Sequence, residues 1–308
     1  MSTLEALIEA RAGVLTFYSP YHCLRSLPDS GSPWQLLRAQ LLSFGNEGDT
    51  YCWSSNNGCY FLYADLPWDS VFFGRPMARL RTILFDSAIN LQTACLDFAA
   101  HLAARGVRHC IADIPAEDIQ LLQVLGQSGW VLAETRLQYV HENLRQLPPE
   151  RYKVRQAVES EQDTLGHIAA KNPNPFDRFH ADPFFSIKEA NTFLGRYATA
   201  AVNGYCEEVL VPDEAGVPLD SFIAVNYQQR DAVSEANSIG RIMLMTVGVQ
   251  NRGWGRKLLA EALHRAHERG VYAVFSTTQT TNRAIIHIKE KLGFRLGAVT
   301  HILSWSRP

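Results

Sequence analysis

Six residues in the last third of the chain, Gln250-Asn251-Arg252-Gly253-Trp254-Gly255, have the types and spacing needed to hold an anion. Two glycines remove the Cβ atoms that would block a ligand from the first turn of a following helix. That turn offers free N–H groups and the positive end of the helix dipole. Arg252, Arg256 and Lys257 add positive charge at the same place, so a pyrophosphate is a fitting guest. The third glycine of a dinucleotide-binding turn would fall where Leu258 stands, and the Gly-Lys-Ser/Thr of a P-loop is missing. The elements that must position these residues are legible on both sides. The uncharged apolar run Ile242 to Val249 reads as a strand, and Leu258, Leu259, Leu263 and Ala266 recur at helical spacing after it. Taken alone, the same glycine pair could simply close a strand-to-helix turn.

Gln-x-x-Gly-x-Gly at a strand-to-helix junction resembles the acyl-CoA signature of the GNAT N-acyltransferase superfamily. The next elements keep the family's order: Gly270, an apolar strand from Val271 to Thr277, Asn282, and a helix ending at Lys291-Leu292-Gly293-Phe294. The resemblance implies two parallel strands that splay apart, with the pantetheine arm of acetyl-CoA between them and no metal. Main-chain groups around Met245 and Val247 would face the arm, Asn282 would hold it, and Gln250 to Lys257 would receive the pyrophosphate. Asn282 can equally serve as a helix N-cap.

Acetyl transfer to an amine needs a group to take the ammonium proton and a group to protonate the departing thiolate. The apolar strand supplies neither. His180 and Asp182, with Asp177 and Glu235, are the candidates for the first task, directly or through water, His180 foremost. For the second, the family places a Tyr seven residues after the Asn. That position is Lys289, and no Tyr follows Asn282. An ordinary lysine, with a pKa near 10.4, is a poor acid for this step unless buried, so its removal is expected to cost less than about 10²-fold in rate. An acyl-CoA-binding sensor or assembly module without turnover stays open as the alternative to an acetyltransferase.

The chain of 308 residues, 46% hydrophobic and 19% charged, is long enough for two domains. A net charge of −2 gives no basic field for nucleic acid or an anionic membrane. With no apolar span of membrane length and no basic, apolar leader, the sequence reads as cytoplasmic, and a homodimer is possible. Cys23, Cys52, Cys59, Cys95, Cys110 and Cys206 lack metal-ligand spacing and read as small core residues. Two helical patterns open the chain, and Asn56-Asn57-Gly58 between aromatic runs signals a hairpin. Alternating strands and helices follow to about Tyr139. Arg105-Gly106 recurs as Arg269-Gly270 and Gly129 as Gly293, offset by 164 residues each time (270 − 106, 293 − 129). This predicts an α/β (α+β mixed sheet) protein of two tandem GNAT-like lobes, 1–145 and 151–308, joined at Leu144 to Glu150. The first lobe is degenerate: Asp86 to Leu91 matches the glycine turn but has no glycine. Trp68-Asp69-Ser70-Val71-Phe72-Phe73-Gly74, Arg178 to Pro183 and Tyr197 are similar in pattern to the dTDP-fucosamine N-acetyltransferases, which implies a nucleotide-linked amino sugar as acceptor and makes the loop Asp177 to Phe185 the specificity element.

Overall fold

The structure is a computed structural model that describes residues 3–25, 33–46, 48–229 and 238–307; Glu235 therefore lies outside the described residues. The chain opens with helices α1 (Thr3–Ala10), α2 (Ala12–Leu15) and α3 (Pro33–Ser43). The expected hairpin follows as β1 (Thr50–Ser54) and β2 (Tyr60–Asp65), paired from Thr50↔Ala64 to Ser54↔Tyr60 and closed by Gly58 at φ +76°. Then come α4 (Pro67–Phe73), β3 (Met77–Leu84), α5 (Leu91–Ala104), β4 (His109–Pro115), α6 (Ile119–Gln127) and β5 (Val131–His141).

The second unit adds β6 (Val154–Gln156), α7 (Gln162–Lys171), α8 (Ile187–Ala200), β7 (Glu208–Pro212) and β8 (Ser221–Gln229). It ends with β9 (Ser238–Val247), α9 (Trp254–Glu268), β10 (Ala273–Gln279), α10 (Arg283–Lys291) and β11 (Arg295–Ser306). The offset of 164 carries β4 and α6 onto β10 and α10 residue for residue, and the start of β5 onto the start of β11. The repeated glycines explain why the sequence kept a trace of this. Gly106, Gly129, Gly270 and Gly293 follow the ends of α5, α6, α9 and α10 with φ between +70° and +88°, a left-handed stop that glycine adopts at least cost.

Among the described residues the strands form one sheet of mixed direction in the order β1-β2-β3-β4-β11-β5-β10-β9-β8-β7-β6. The repeats meet by exchanging their last strands. β11 lies antiparallel between β4 and β5, while β5 lies antiparallel against β10. The sheet thus runs unbroken across the boundary expected near residue 145. Phe73 of α4 stands 5.6 Å from Phe179, 4.6 Å from Phe185 and 5.2 Å from Phe193, ring to ring, in a cluster that joins the two units beside the sheet. Of the cysteines, Cys59, Cys95, Cys110 and Cys206 are buried as expected, whereas Cys23 is half-buried and Cys52 faces solvent.

The opening helices have a task that the sequence did not disclose. Asp118 caps α6, accepting from the Leu121 N–H at 3.3 Å, and by the 164 offset it is the counterpart of Asn282, which accepts from the Ile285 N–H at 3.3 Å. The free carboxylate oxygen of Asp118 takes Arg11 Nη2 at 2.6 Å and the Tyr18 hydroxyl at 2.7 Å. Arg11 also donates to the carbonyl of Ile83, the counterpart of Val247. All three side chains are buried. The N-terminal segment therefore fills, in the first lobe, the position between strand edge and helix cap that lies open in the second.

Candidate active site

β9 and β10 are paired in parallel from Ile239↔Ala273 to Ile242↔Ser276 and no further, yet β9 continues to Val247 and β10 to Gln279. Past Ile242 the strands part. A strand directs alternate N–H and C=O groups to its two sides. β8 occupies only one side of β9 through Val247, so alternate groups between Met243 and Val247 face the gap. The gap opens into a cavity of roughly 1370 Å³ lined by both strands, α8, α10 and the loop 172–180. Trp68, Asp69, Arg79, Glu134 and Arg136 complete its wall from the first repeat, so the degenerate lobe shapes this site.

At one end stands the glycine turn. Gly253 precedes α9 at φ +92°, and no side chain caps that helix, so its first N–H groups have no capping acceptor. A Cβ on Gly253 would meet nothing within 4 Å; what demands glycine here is the backbone angle. At Gly255 the demand is packing, since a Cβ would lie 3.3 Å from Val247 Cγ2 and 3.6 Å from Ile288 Cδ1. The turn is held from behind by Asp220, whose Oδ2 accepts from the Gln250 N–H at 2.8 Å, and by buried Asn251, which donates to the Pro218 carbonyl at 2.9 Å and to Ser221 Oγ at 2.8 Å.

Of the residues expected at the cofactor, Met245, Val247, Arg252, Gly253, Gly255 and Asn282 line the cavity, and Arg283 joins them. Four side chains do not. Trp254 is buried in the core beside Leu258, Lys257 lies 4.4 Å over its ring and pairs with Glu214 at 3.2 Å, and Gln250 and Arg256 point to solvent. At the start of a helix successive side chains fan around the axis, so the side chains of a contiguous motif cannot all face one ligand, whatever its main-chain N–H groups do. The residues present fit a pyrophosphate and its arm, with uncapped first-turn N–H groups of α9 between Arg252 and Arg283 and an unpaired strand edge leading inward.

The acceptor half departs further from expectation. His180 lines the cavity, but its Nδ1 is 2.7 Å from Asp177 Oδ2 and its Nε2 is 2.9 Å from Asn191 Oδ1, so neither nitrogen is left to take a proton from a ligand. Asp182 does not line the cavity. It is buried, accepts from the Phe184 N–H at 2.9 Å, and faces His109 Nε2 at 3.7 Å. Burial pushes His109 down to about 4. Asp69, named above only within the Trp68 to Gly74 pattern, lines the cavity, and its side chain makes no hydrogen bond among the described residues.

Lys289, by contrast, gains weight. Its side chain is 1% exposed and lines the cavity, with Nζ donating to the carbonyls of Ser276 at 3.2 Å and Thr277 at 3.1 Å, just where β10 leaves β9. Burial lowers its pKa to about 7.

Residues 244–294 match the model of the acetyltransferase (GNAT) family. The fold is that of a GCN5-related N-acetyltransferase from Sphaerobacter thermophilus, with a TM-score of 0.56 at 13% identity over 98% of this chain and 94% of that one. It is also that of a tandem GNAT protein from the clavulanic acid biosynthesis pathway, with a TM-score of 0.50 at 15% identity over 97% and 96%. The glucosamine N-acetyltransferase region of a fungal multi-domain GH3 β-N-acetylglucosaminidase gives 0.56 at 13% identity over 82% of this chain and 32% of that chain. No curated protein matches in sequence. The segment that matches the family model runs from the splayed part of β9 to just past α10, and the fold around it is two-lobed, like that of the tandem protein.

Proposed function

We propose that this protein transfers an acetyl group from acetyl-CoA to the amine of a small molecule, a nucleotide-linked amino sugar being the acceptor favoured by the sequence pattern. The observation that carries the reading is the parting of β9 from β10 at the glycine turn, opening into a cavity whose far wall comes from the first lobe. The free edge at Met245 and Val247, with Asn282, would hold the pantetheine arm. The first turn of α9, Arg252 and Arg283 would hold the pyrophosphate. Bound there, acetyl-CoA supplies a thioester carbonyl, the acyl group to be moved.

This chain's own residues then have three tasks. Main-chain N–H groups on the free edge of β9 can stabilise negative charge on an oxygen. Asp69 can take the ammonium proton, directly or through one water, so that the amine lone pair is free to form the new C–N bond. As the C–S bond breaks, Lys289 can give the Nζ proton to sulfur; a group titrating near 7 gives it downhill to a thiolate whose conjugate acid has a pKa of about 8.5. His180 would position the loop 177–185, its ring tied between Asp177 and Asn191. A buried, titratable group in the place of the acid weighs against a binding module without turnover, which would gain nothing from the cost of burying it. Amino sugars gain some support from the fungal region of similar fold, which acts on glucosamine.

Thiol release from acetyl-CoA, measured with a panel of amines, tests the reading. The expected result is turnover with nucleotide-linked amino sugars well above that with free lysine or polyamines. Acetyl-CoA binding with no thiol release from any amine would defeat it.

A further inference from the structure

Three arginines stand together on the cavity wall, and they are not equally matched with carboxylates. Arg136 is spent on Glu134, with Nη2 at 2.6 Å and Nε at 3.2 Å, and Gln279 donates to the same carboxylate at 3.0 Å. Arg79 stands 3.5 Å from Asp113, a contact loose enough to leave Arg79 Nε and Asp113 Oδ1 buried without hydrogen bonds. Arg178 makes no hydrogen bond and no ion pair at contact distance among the described residues; its guanidinium lies 4.5 Å over the ring of Phe179.

The electrostatics at Arg178 are unfavourable. Desolvation first, then the positive charges of Arg79 and Arg136, lower its pKa to about 10, and the opposing pull of Asp113 and Asp69 is weaker. A guanidinium stays protonated throughout the working range of an enzyme, so it cannot escape by losing its proton. The other carboxylate on this wall, Asp177, is occupied by the His180 ring and by the N–H groups of Phe179 and His180. Half-buried on the cavity wall beside two like charges, a guanidinium of this kind gains by pairing with an anion.

We propose that Arg178, backed by Arg79 and Arg136, binds an anionic group, carboxylate or phosphate, carried by the acceptor amine. The planar fork of a guanidinium matches either group in two parallel hydrogen bonds. The proposal rests on the acyl-transfer reading for the identity of the ligand and on the wall itself for the anion site. It selects acceptors that combine an amine with an acid group, and neutral amines of the same size should be poor.

Two measurements on the full chain test it. In the first, protein saturated with CoA, which occupies the pyrophosphate site, is titrated calorimetrically with inorganic phosphate and, separately, with acetate. In the second, thiol release is followed with glucosamine and glucosamine 6-phosphate, and with ethanolamine, β-alanine and 2-aminoethyl phosphate. At least one anion should bind the native protein, and Arg178→Met should weaken it about tenfold to a hundredfold, the range of a lost charge-assisted pair. Arg178→Lys, which keeps the charge, should lose less, and thermal denaturation of both variants reports folding. The preference for an acidic amine over its neutral twin, in kcat/KM, should fall at least tenfold in Arg178→Met. The two anions and the two kinds of acidic amine distinguish phosphate from carboxylate. An internal pairing of Arg178 with Asp69 predicts instead that all amines suffer alike, and that result overturns the proposal, as does a native protein that binds neither anion. Anion binding lost in Arg178→Met, but with no amine turned over, would support the site and count against acyl transfer. Turnover confined to neutral amines would do the reverse.

Discussion

Replacing Lys289 with methionine removes the charge while keeping the volume of a long side chain, and its consequences differ sharply between the two roles open to this lysine. As the acid, Lys289 should be worth the usual 10²–10⁴-fold in kcat. The small effect expected from the sequence assumed an ordinary lysine, and burial of Nζ in the strand gap reverses that expectation. Loss of the Lys289 proton should give the wild type a falling limb of rate against pH, centred near 7 in the free enzyme, and Lys289→Met should lack that limb. Stability supplies a second readout that needs no acceptor. The folded pKa is about 7 and the ordinary value 10.5, so the unfolded chain binds more protons between them. Unfolding free energy should therefore rise with pH from about 7 to about 10.5. Below 7 the whole cost of burying the ammonium is present. At about 1.36 kcal/mol per pKa unit that cost is on the order of 4–5 kcal/mol. Two carbonyls, those of Ser276 and Thr277, lose their donor in Lys289→Met, which offsets part of the gain. Denaturant unfolding from pH 6 to 10 should show the slope in the wild type and a flatter line in the variant. If Lys289→Met keeps kcat within tenfold and retains the falling limb, the lysine is structural and the argument for the acid fails.

Three further outcomes are expected. Gly253→Ala introduces no clash but holds a Cβ at φ +92°, so it should cost about 1–3 kcal/mol, seen by calorimetry as roughly tenfold or more weaker CoA binding; unchanged affinity would show that the turn does not shape the site. Arg11→Met leaves the buried Asp118 carboxylate uncompensated, with only the Tyr18 hydroxyl and the Leu121 N–H as donors, and should destabilise the fold by about 3–5 kcal/mol in denaturant unfolding, while CoA affinity, measured on the folded protein, stays as it was. Asp69→Asn keeps the shape but not the basicity, so it should lower kcat by about 10²-fold with little change in CoA affinity; wild-type turnover would remove Asp69 from the reaction.

The sequence by itself determined the parts of this protein that depend on neighbours along the chain. An apolar run, a turn that needs glycine, an amphipathic helix and an Asn cap are local facts, and Arg105-Gly106, Gly129 and their partners 164 residues on betray the repeat because a left-handed helix stop favours glycine. The structure keeps Met245, Val247, Arg252, Gly253, Gly255 and Asn282 on the cavity for the same reason. What only the tertiary structure decided are matters of burial and of contacts between distant residues. Trp254 was assigned to the ligand and went to the core, because a motif read as a string hides which way each side chain turns. His180 looked like a base until Asp177 and Asn191 took both its nitrogens, and Asp182 until it turned toward His109. The exchange of β5 and β11 between repeats leaves no local mark, since it pairs strands far apart along the chain. Arg11 on Asp118, 107 residues apart, closes a gap that no pattern announces. Lys289 shows the difference most plainly: spacing fixed its place, but its pKa, and with it the chemistry it can do, was set by how much water the folded chain leaves around one nitrogen.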